Sequence, residues 1–276
     1  MPSNKDNMNS LSVIIPVYNE EKSVEKVLHA VAAEKLVSEI IIVDDCSVDN
    51  SVEKINSAIQ SLETLRPELK LKFHQNKKNT GKGGSLRRGF RSVTSDVIVI
   101  QDADLEYNPK EYNKLIKPIR KGLADVVYGS RFIGGTHRVL YFWHFMGNKV
   151  LTLMSNMFSN LNLTDMETCY KMFRKDILKS IDLKSNRFGF EPEFTAKVAK
   201  IKVKIYELPI SYYGRTYNEG KKITWKDGIA AIGHIIRFNM SPRVLILTGF
   251  FLTLGALIFY STLIGMKYLA HSILHQ

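Results

Sequence analysis

The sequence predicts an α/β fold: a Rossmann-like, mostly parallel sheet flanked by helices, followed by interfacial amphipathic helices and one C-terminal transmembrane helix. Short apolar runs carry the sheet. LSVIIPV (11–17), EIIIVD (39–44), DVIVI (96–100) and ADVVYG (124–129) are apolar on both faces, as strands buried from both sides must be. Helical periodicity between them carries the layers, and an uncharged stretch near the end carries the span.

Taken in order, the first ten residues, MPSNKDNMNS, are polar, lack the apolar core of a secretory signal and are expected to be disordered. After the first strand, Val24, Val27, Leu28 and Val31 follow the i, i+3, i+4, i+7 rule of a helix covering one face of a sheet. The strand, helix, strand rhythm continues through 124–129. In such sheets ligands bind beyond the carboxyl ends of the strands, where PVYNE, DDCSVD and DAD fall. From Arg138 to Leu161 only Arg138 and Lys149 are charged, which fits either core packing or a helix lying on a bilayer. FGFEPEFTAKVAK (188–200) opens a helix with Glu191 and Glu193 in its first turn, where the dipole favours acids. WKDGIAAIGHIIRF (225–238) gathers Trp225, Ile229, Ile232 and Ile236 on one face, the pattern of an interfacial helix.

From Val244 to Met266 no residue is charged, long enough at about 1.5 Å per residue to cross a hydrocarbon core of roughly 30 Å. Arg237 and Arg243 precede this span and Lys267 follows it, which puts the main domain on the cytoplasmic side. The expected organisation is therefore a globular domain over 11–220, a juxtamembrane helix over 221–243, the span over 244–266 and a short tail over 267–276.

A net charge of +12 and a pI near 9.5 point to a polyanionic partner: nucleic acid, nucleotide phosphates or an acidic membrane. Cys46 and Cys169 offer neither a disulfide framework nor zinc spacing, in keeping with a reducing compartment. There are no internal repeats. The chain leaves room for a homo-oligomer without specifying one.

Two stretches carry chemistry. QDADLEYNP (101–109) places Asp102, Asp104 and Glu106 directly after an apolar strand, and clustered acids there need a cation or a partner rich in hydrogen-bond donors. Asp102 and Asp104 suit Mg²⁺ or Mn²⁺, which take one or two protein carboxylates and complete their shell with substrate phosphates and water. From Lys70 to Arg91 there are eight Lys or Arg residues and no acid, and the middle, NTGKGGS, ends at an expected helix start. Its glycines would let backbone N–H groups approach a phosphate. It is not a Walker A loop, because position 76 is Asn and Lys82 is followed by Gly83.

VIIPVYNEE, IIIVDDCSVDNS, GKGGSLRRGF, QDADLEYNP, YGSRF and TDMETCYKMFR occur in the order seen in family 2 glycosyltransferases of the GT-A fold. Over roughly 11–215 the chain resembles their polyprenyl-phosphate branch, the dolichyl-phosphate mannose and glucose synthase type. The resemblance implies that Pro16, Tyr18, Glu20 and Asp45 hold the nucleotide base and ribose, Asp44 buttresses that loop, and Lys82 reaches the diphosphate. It implies that Asp102 and Asp104 bind the metal, with Glu106 either joining them or pairing with Lys110, and that Arg131 and Arg215 meet the acceptor phosphate. Either arginine could equally be a structural ion pair. Glu167 and Thr168 fall on the sugar side, and the Cys-containing segment favours UDP-glucose over GDP-mannose.

The expected reaction is inverting transfer from a nucleotide-diphosphate sugar to a polyprenyl phosphate at a lipid bilayer. A phosphate monoester is anionic at neutral pH and needs no base; a hydroxyl acceptor, the alternative, would need one such as Glu193. A nucleic-acid partner is not expected, since phosphate-only binding leaves the strand-end carboxylates without a use.

Overall fold

A computed structural model of the chain describes residues 10–139, 141–222 and 225–240. Its elements run β1 (Leu11–Val17), α1 (Val24–Ala32), β2 (Val37–Asp44), α2 (Ser51–Leu65), β3 (Lys70–Gln75), α3 (Lys82–Phe90), β4 (Val97–Ile100) and α4 (Tyr112–Arg120). There follow β5 (Val126–Ser130), α5 (Phe142–Ser159), β6 (Lys171–Arg174), α6 (Ile177–Ser180), α7 (Phe190–Lys200), β7 (Ile205–Pro209) and α8 (Trp225–Asn239).

The strands form one sheet of seven in the order β3-β2-β1-β4-β6-β5-β7. All neighbours pair parallel except β6, which runs antiparallel to both β4 and β5. The expected α/β architecture is present. β1, β2, β4 and β5 are buried nearly throughout, which is why each reads as an unbroken apolar run. Pro16 is tolerated in the central strand β1 because the β1–β4 ladder stops at Ile14 and Ile100, so its missing N–H costs no bond on that side.

Chain order reverses between β1 and β4, so the loops after β1, β2 and β4 open into one crevice. Each loop holds one non-glycine residue in the left-handed region: Asn19 at φ 52°, Cys46 at 63° and Leu105 at 64°. Such backbone costs about 1 to 3 kcal/mol and persists where surrounding contacts impose it.

α5 is not a core helix. Thr152 and Ser155 are its buried residues, while Trp143 is 79% exposed and Met157 73%. α8 packs through Ala231 and Ile235, and Ile229, on the face expected to be interfacial, points outward. No helix among the described residues is long and apolar enough to cross a membrane, and the span expected over 244–266 lies outside them, as does the N-terminal stretch 1–9.

Candidate active site

Asp102 and Asp104 leave the end of β4 side by side, each answered by a cation. Lys82, the first residue of α3, places its Nζ 2.8 Å from Asp102 Oδ1 and 2.9 Å from Glu191 Oε1. Arg215 donates from Nη2 to Asp104 Oδ2 at 3.2 Å and grips Glu20 with both terminal nitrogens, each at 3.2 Å. Burial, reinforced by Asp102 and Glu106, pushes the Asp104 carboxyl up to about 8 despite Arg215. Concentrated negative charge on oxygen donors is what Mg²⁺ or Mn²⁺ relieves, so the chemistry of the Asp102 and Asp104 carboxylates fits such an ion, which these two residues would hold.

Glu106 stands apart from that pair. Its Oε1 accepts from the Arg215 backbone N–H at 2.7 Å and its Oε2 from the Tyr212 hydroxyl at 2.7 Å, so it braces the 212–215 segment. Its partners are these rather than Lys110. Lys222 closes the same segment over the loop after β1, donating to Tyr18 O at 2.6 Å, Asn19 O at 2.9 Å and Glu20 Oε1 at 2.7 Å. Glu20 thus anchors this strap, and Tyr18 stays 40% exposed at the mouth of the crevice.

Asp44, the last residue of β2, and Asp45, the first after it, are both buried. The Asp45 carboxylate accepts from Asn76 Nδ2 at 2.7 Å, Thr80 N at 2.9 Å and Gly81 N at 2.6 Å, and bracing the glycine loop occupies it. Burial raises the Asp45 carboxyl, but those bonds outweigh it and hold the group below its ordinary range. Asp44 is fully buried, accepts from Ser47 N through Oδ2 and leaves Oδ1 without a protein partner.

The glycine loop also departs from expectation. Its amides are not free to cradle a phosphate: Gly81 N donates to Asp45, Gly83 N to Arg187 O at 3.3 Å and Gly84 N to Asn186 O at 2.8 Å. The glycines are required because the 185–187 segment lies against them, and a Cβ on Gly83 would stand 2.3 Å from Ser185 O. What this loop offers an anion is the Lys82 side chain.

Arg131 forms a two-pronged ion pair with Asp165, Nε to Oδ2 at 2.7 Å and Nη2 to Oδ1 at 2.8 Å, with its guanidinium over the Tyr212 ring at 5.2 Å. Its fork is therefore engaged by the protein. Two other cations lie near it. Lys149 sits 4.8 Å from the centroid of Phe132, the ring Arg131 also covers, and Lys221 sits 5.7 Å from that of Tyr141. Asp165 and Lys149 carried no local signal in the sequence, since each acts through a partner remote along the chain.

Glu193 is no free base. Lys184 N, Ser185 N and Lys197 Nζ donate to its carboxylate at 2.7, 2.6 and 2.5 Å, and together outweigh burial to hold it below its ordinary range.

A family model described as Glycosyl transferase family 2 matches residues 12–182, well over half of the chain. The chain belongs to glycosyl transferase family 2. This family 2 glycosyltransferase is 29% identical over 243 residues to the undecaprenyl-phosphate mannosyltransferase of Micrococcus luteus, covering 83% of this chain and 94% of that one. It is also 29% identical over 219 residues to the dolichol-phosphate mannosyltransferase of Pyrococcus furiosus, covering 76% of this chain but only 58% of that longer protein. The transferase also superposes on glucosyl-3-phosphoglycerate synthase from Mycobacterium tuberculosis, solved with Mn²⁺, UDP and phosphoglyceric acid. The TM-score is 0.66 at 16% identity, covering 86% of this chain and 82% of that one. That likeness is one of fold, the GT-A-like arrangement.

Proposed function

We propose that this glycosyltransferase moves a hexosyl group, with inversion, from a nucleoside-diphosphate sugar to a polyprenyl phosphate at the cytoplasmic face of a membrane. The observation that carries the reading is a juxtaposition: Arg131, Lys149 and Lys221 lie along the first half of α5, which turns apolar residues outward, with Glu106 on the side toward the Asp102 and Asp104 pair. A lipid phosphate needs cations beside an apolar surface, and a soluble acceptor does not. The names of the two curated relatives, both polyprenyl-phosphate or dolichol-phosphate mannosyltransferases, support the same class.

A divalent ion, Mg²⁺ or Mn²⁺, would be held by Asp102 and Asp104 and would offset the charge that develops on the leaving diphosphate. Lys82 orients that diphosphate from the opposite side. Tyr18 and the open oxygen of Asp44 face the nucleoside, and Lys149, Lys221 and the remaining donor of Arg131 position the acceptor. The acceptor phosphate carries its own anionic oxygen, since its second pKa lies near 6, so no side chain has to remove a proton. The engagement of Glu193 agrees with this, because that carboxylate was a candidate for the base a hydroxyl acceptor needs. The stretch 244–266 is proposed to anchor the domain as a single span.

The test is transfer by the full chain in detergent, with Mn²⁺ or Mg²⁺, from radiolabelled UDP-glucose and GDP-mannose to polyprenyl phosphate or to a glycan. An acid-labile lipid-linked product with one of the donors is expected. Label reaching only the glycan would overturn the reading.

A further inference from the structure

The outward side of α3 carries a cationic groove that the mechanism above leaves unused. Gly83, Ser85, Leu86 and Gly89 bury one side of that helix, so Gly84, Arg87, Arg88 and Arg91 share the other at the i, i+3, i+4, i+7 spacing. The loop 76–80 folds back along them, and Asn76 and Thr80 complete a groove of about 350 Å³ lined by these six residues. A Cβ on Gly84 would stand 2.5 Å from Thr80 Oγ1, so glycine there lets the loop close on the helix. Lys82, which meets Asp102 and Glu191, leaves α3 two positions earlier and so on the far side, which keeps the groove apart from the metal acids.

The arginines of the groove are held in place but not neutralised. Arg87 donates to Ser185 O at 2.7 Å and to Asn186 Oδ1 at 2.5 Å, and Arg88 donates from Nη1 to Gln75 O and to Asn76 Oδ1, both at 2.7 Å. Each acceptor is an uncharged carbonyl. Among the described residues no carboxylate pairs with Arg87, Arg88 or Arg91, nor with Lys77 and Lys78, which are exposed in the turn between Asn76 and Thr80. The excess charge is felt nearby: burial first, then Arg88 and Lys72, hold the His74 imidazole below its ordinary range. A merely solvated basic face would leave its side chains unfixed, whereas carbonyls that orient a guanidinium in advance lower the ordering cost of a ligand. That ligand must be an anion, and the planar fork of arginine suits phosphate oxygens. No apolar side chain lines the groove, so a phosphate group is all that it can recognise.

We propose that the groove between α3 and the loop 76–80 is a second anion site, which takes a phosphate group through Arg88 and Arg91, separately from the donor and acceptor sites. The phosphate can belong to a small soluble molecule or to a lipid headgroup. The test is calorimetric titration of the full chain in detergent with chelator present, on wild type, Arg88→Gln, Arg91→Gln and the double variant Lys82→Gln/Lys149→Gln. The probes are inorganic phosphate, inorganic pyrophosphate and dihexanoyl phosphatidic acid, with dihexanoyl phosphatidylcholine as the control lipid. At least one phosphate-bearing probe should bind wild type and the double variant alike, and Arg88→Gln and Arg91→Gln should each weaken it at least about tenfold, the effect of one charge-assisted contact. Weakening confined to the inorganic anions identifies a soluble ligand, and weakening confined to phosphatidic acid identifies a headgroup; both support the site. Because Arg91 is exposed, its variant separates lost binding from lost folding. Wild type that binds none of the three probes, Arg91→Gln that binds them as wild type does, or binding lost in the double variant would overturn the proposal and leave the transferase reading standing.

Discussion

Gln101 is fully buried beneath the metal acids, where it accepts hydrogen bonds through Oε1 from the Tyr112 hydroxyl at 2.5 Å and the Tyr170 hydroxyl at 2.6 Å. Its Nε2 donates to Asp102 O at 3.0 Å, so three elements meet on one amide that fixes the backbone of the acid pair. Gln101→Leu removes the acceptor that the two tyrosine hydroxyls share and should cost about 1 to 3 kcal/mol in urea unfolding. Gly83→Ala drives a methyl into the carbonyl of Ser185 and should cost about 1 to 3 kcal/mol or more, with lowered donor affinity because α3 carries Lys82. Glu39 supplies a pH signature. Burial raises its carboxyl, but bonds from Lys72, Ser12 and Thr94 prevail and hold it below 4.5. With the folded value depressed, its stabilisation is present above about pH 4.5 and is lost as pH falls through the folded value. Glu39→Gln should therefore lower stability at neutral pH and flatten its decline in acid, read by thermal melts across pH. The direct reading of single residues was weakest wherever the partner lies far along the chain. The resemblance gave Asp45 a ligand role and left Arg131 between ligand and ion pair; the hydrogen bonds of Asp45 to Thr80 and Gly81 and of Arg131 to Asp165 join partners that local sequence does not reveal.

Among the elements, those buried on both faces were legible because burial writes an unbroken apolar run; β1, β2, β4 and β5 fall within two residues of their expected limits. The edge strands β3 and β7 were not legible as strands. KLKFHQ carries charge and is half-exposed, and β7 is likewise partly exposed, so neither shows a two-sided core pattern. The antiparallel direction of β6 depends on its pairing with β4 and β5, which periodicity does not report. The helix over 142–159 had two readings in the sequence, and exposure of its apolar residues decides against the core. If α5 rests on a bilayer, Trp143 should be quenched by brominated lipids in a Trp225→Phe background, and Leu153→Asp should reduce that quenching and slow transfer to a lipid acceptor more than donor hydrolysis. Quenching no greater than for a soluble indole would show that α5 stays in water.

At the scale of the whole molecule, the sheet order brings three loops into one crevice, and the segment 211–222 crosses it through Glu20, Asp104 and Glu106. Arg215 balances the acids that a divalent cation would also balance, so under the proposed function ion and arginine would compete for Asp104. Arg215→Ala should consequently tighten Mn²⁺ binding while lowering transfer, a divergence visible by comparing calorimetry with turnover. Under the proposed function, donor and acceptor would form two halves of one electrostatic site, with acids on the donor side and Lys149, Lys221 and Arg131 on the acceptor side. The central claim is that Asp102 and Asp104 hold an ion shared with the donor. Its most direct measurement is nucleotide-sugar affinity by calorimetry, with Mn²⁺ and with chelator, on wild type and Asp104→Asn. The account predicts affinity that falls at least about tenfold on chelation in wild type and is already low, and unresponsive to metal, in the variant; equal affinity in all four conditions would contradict it.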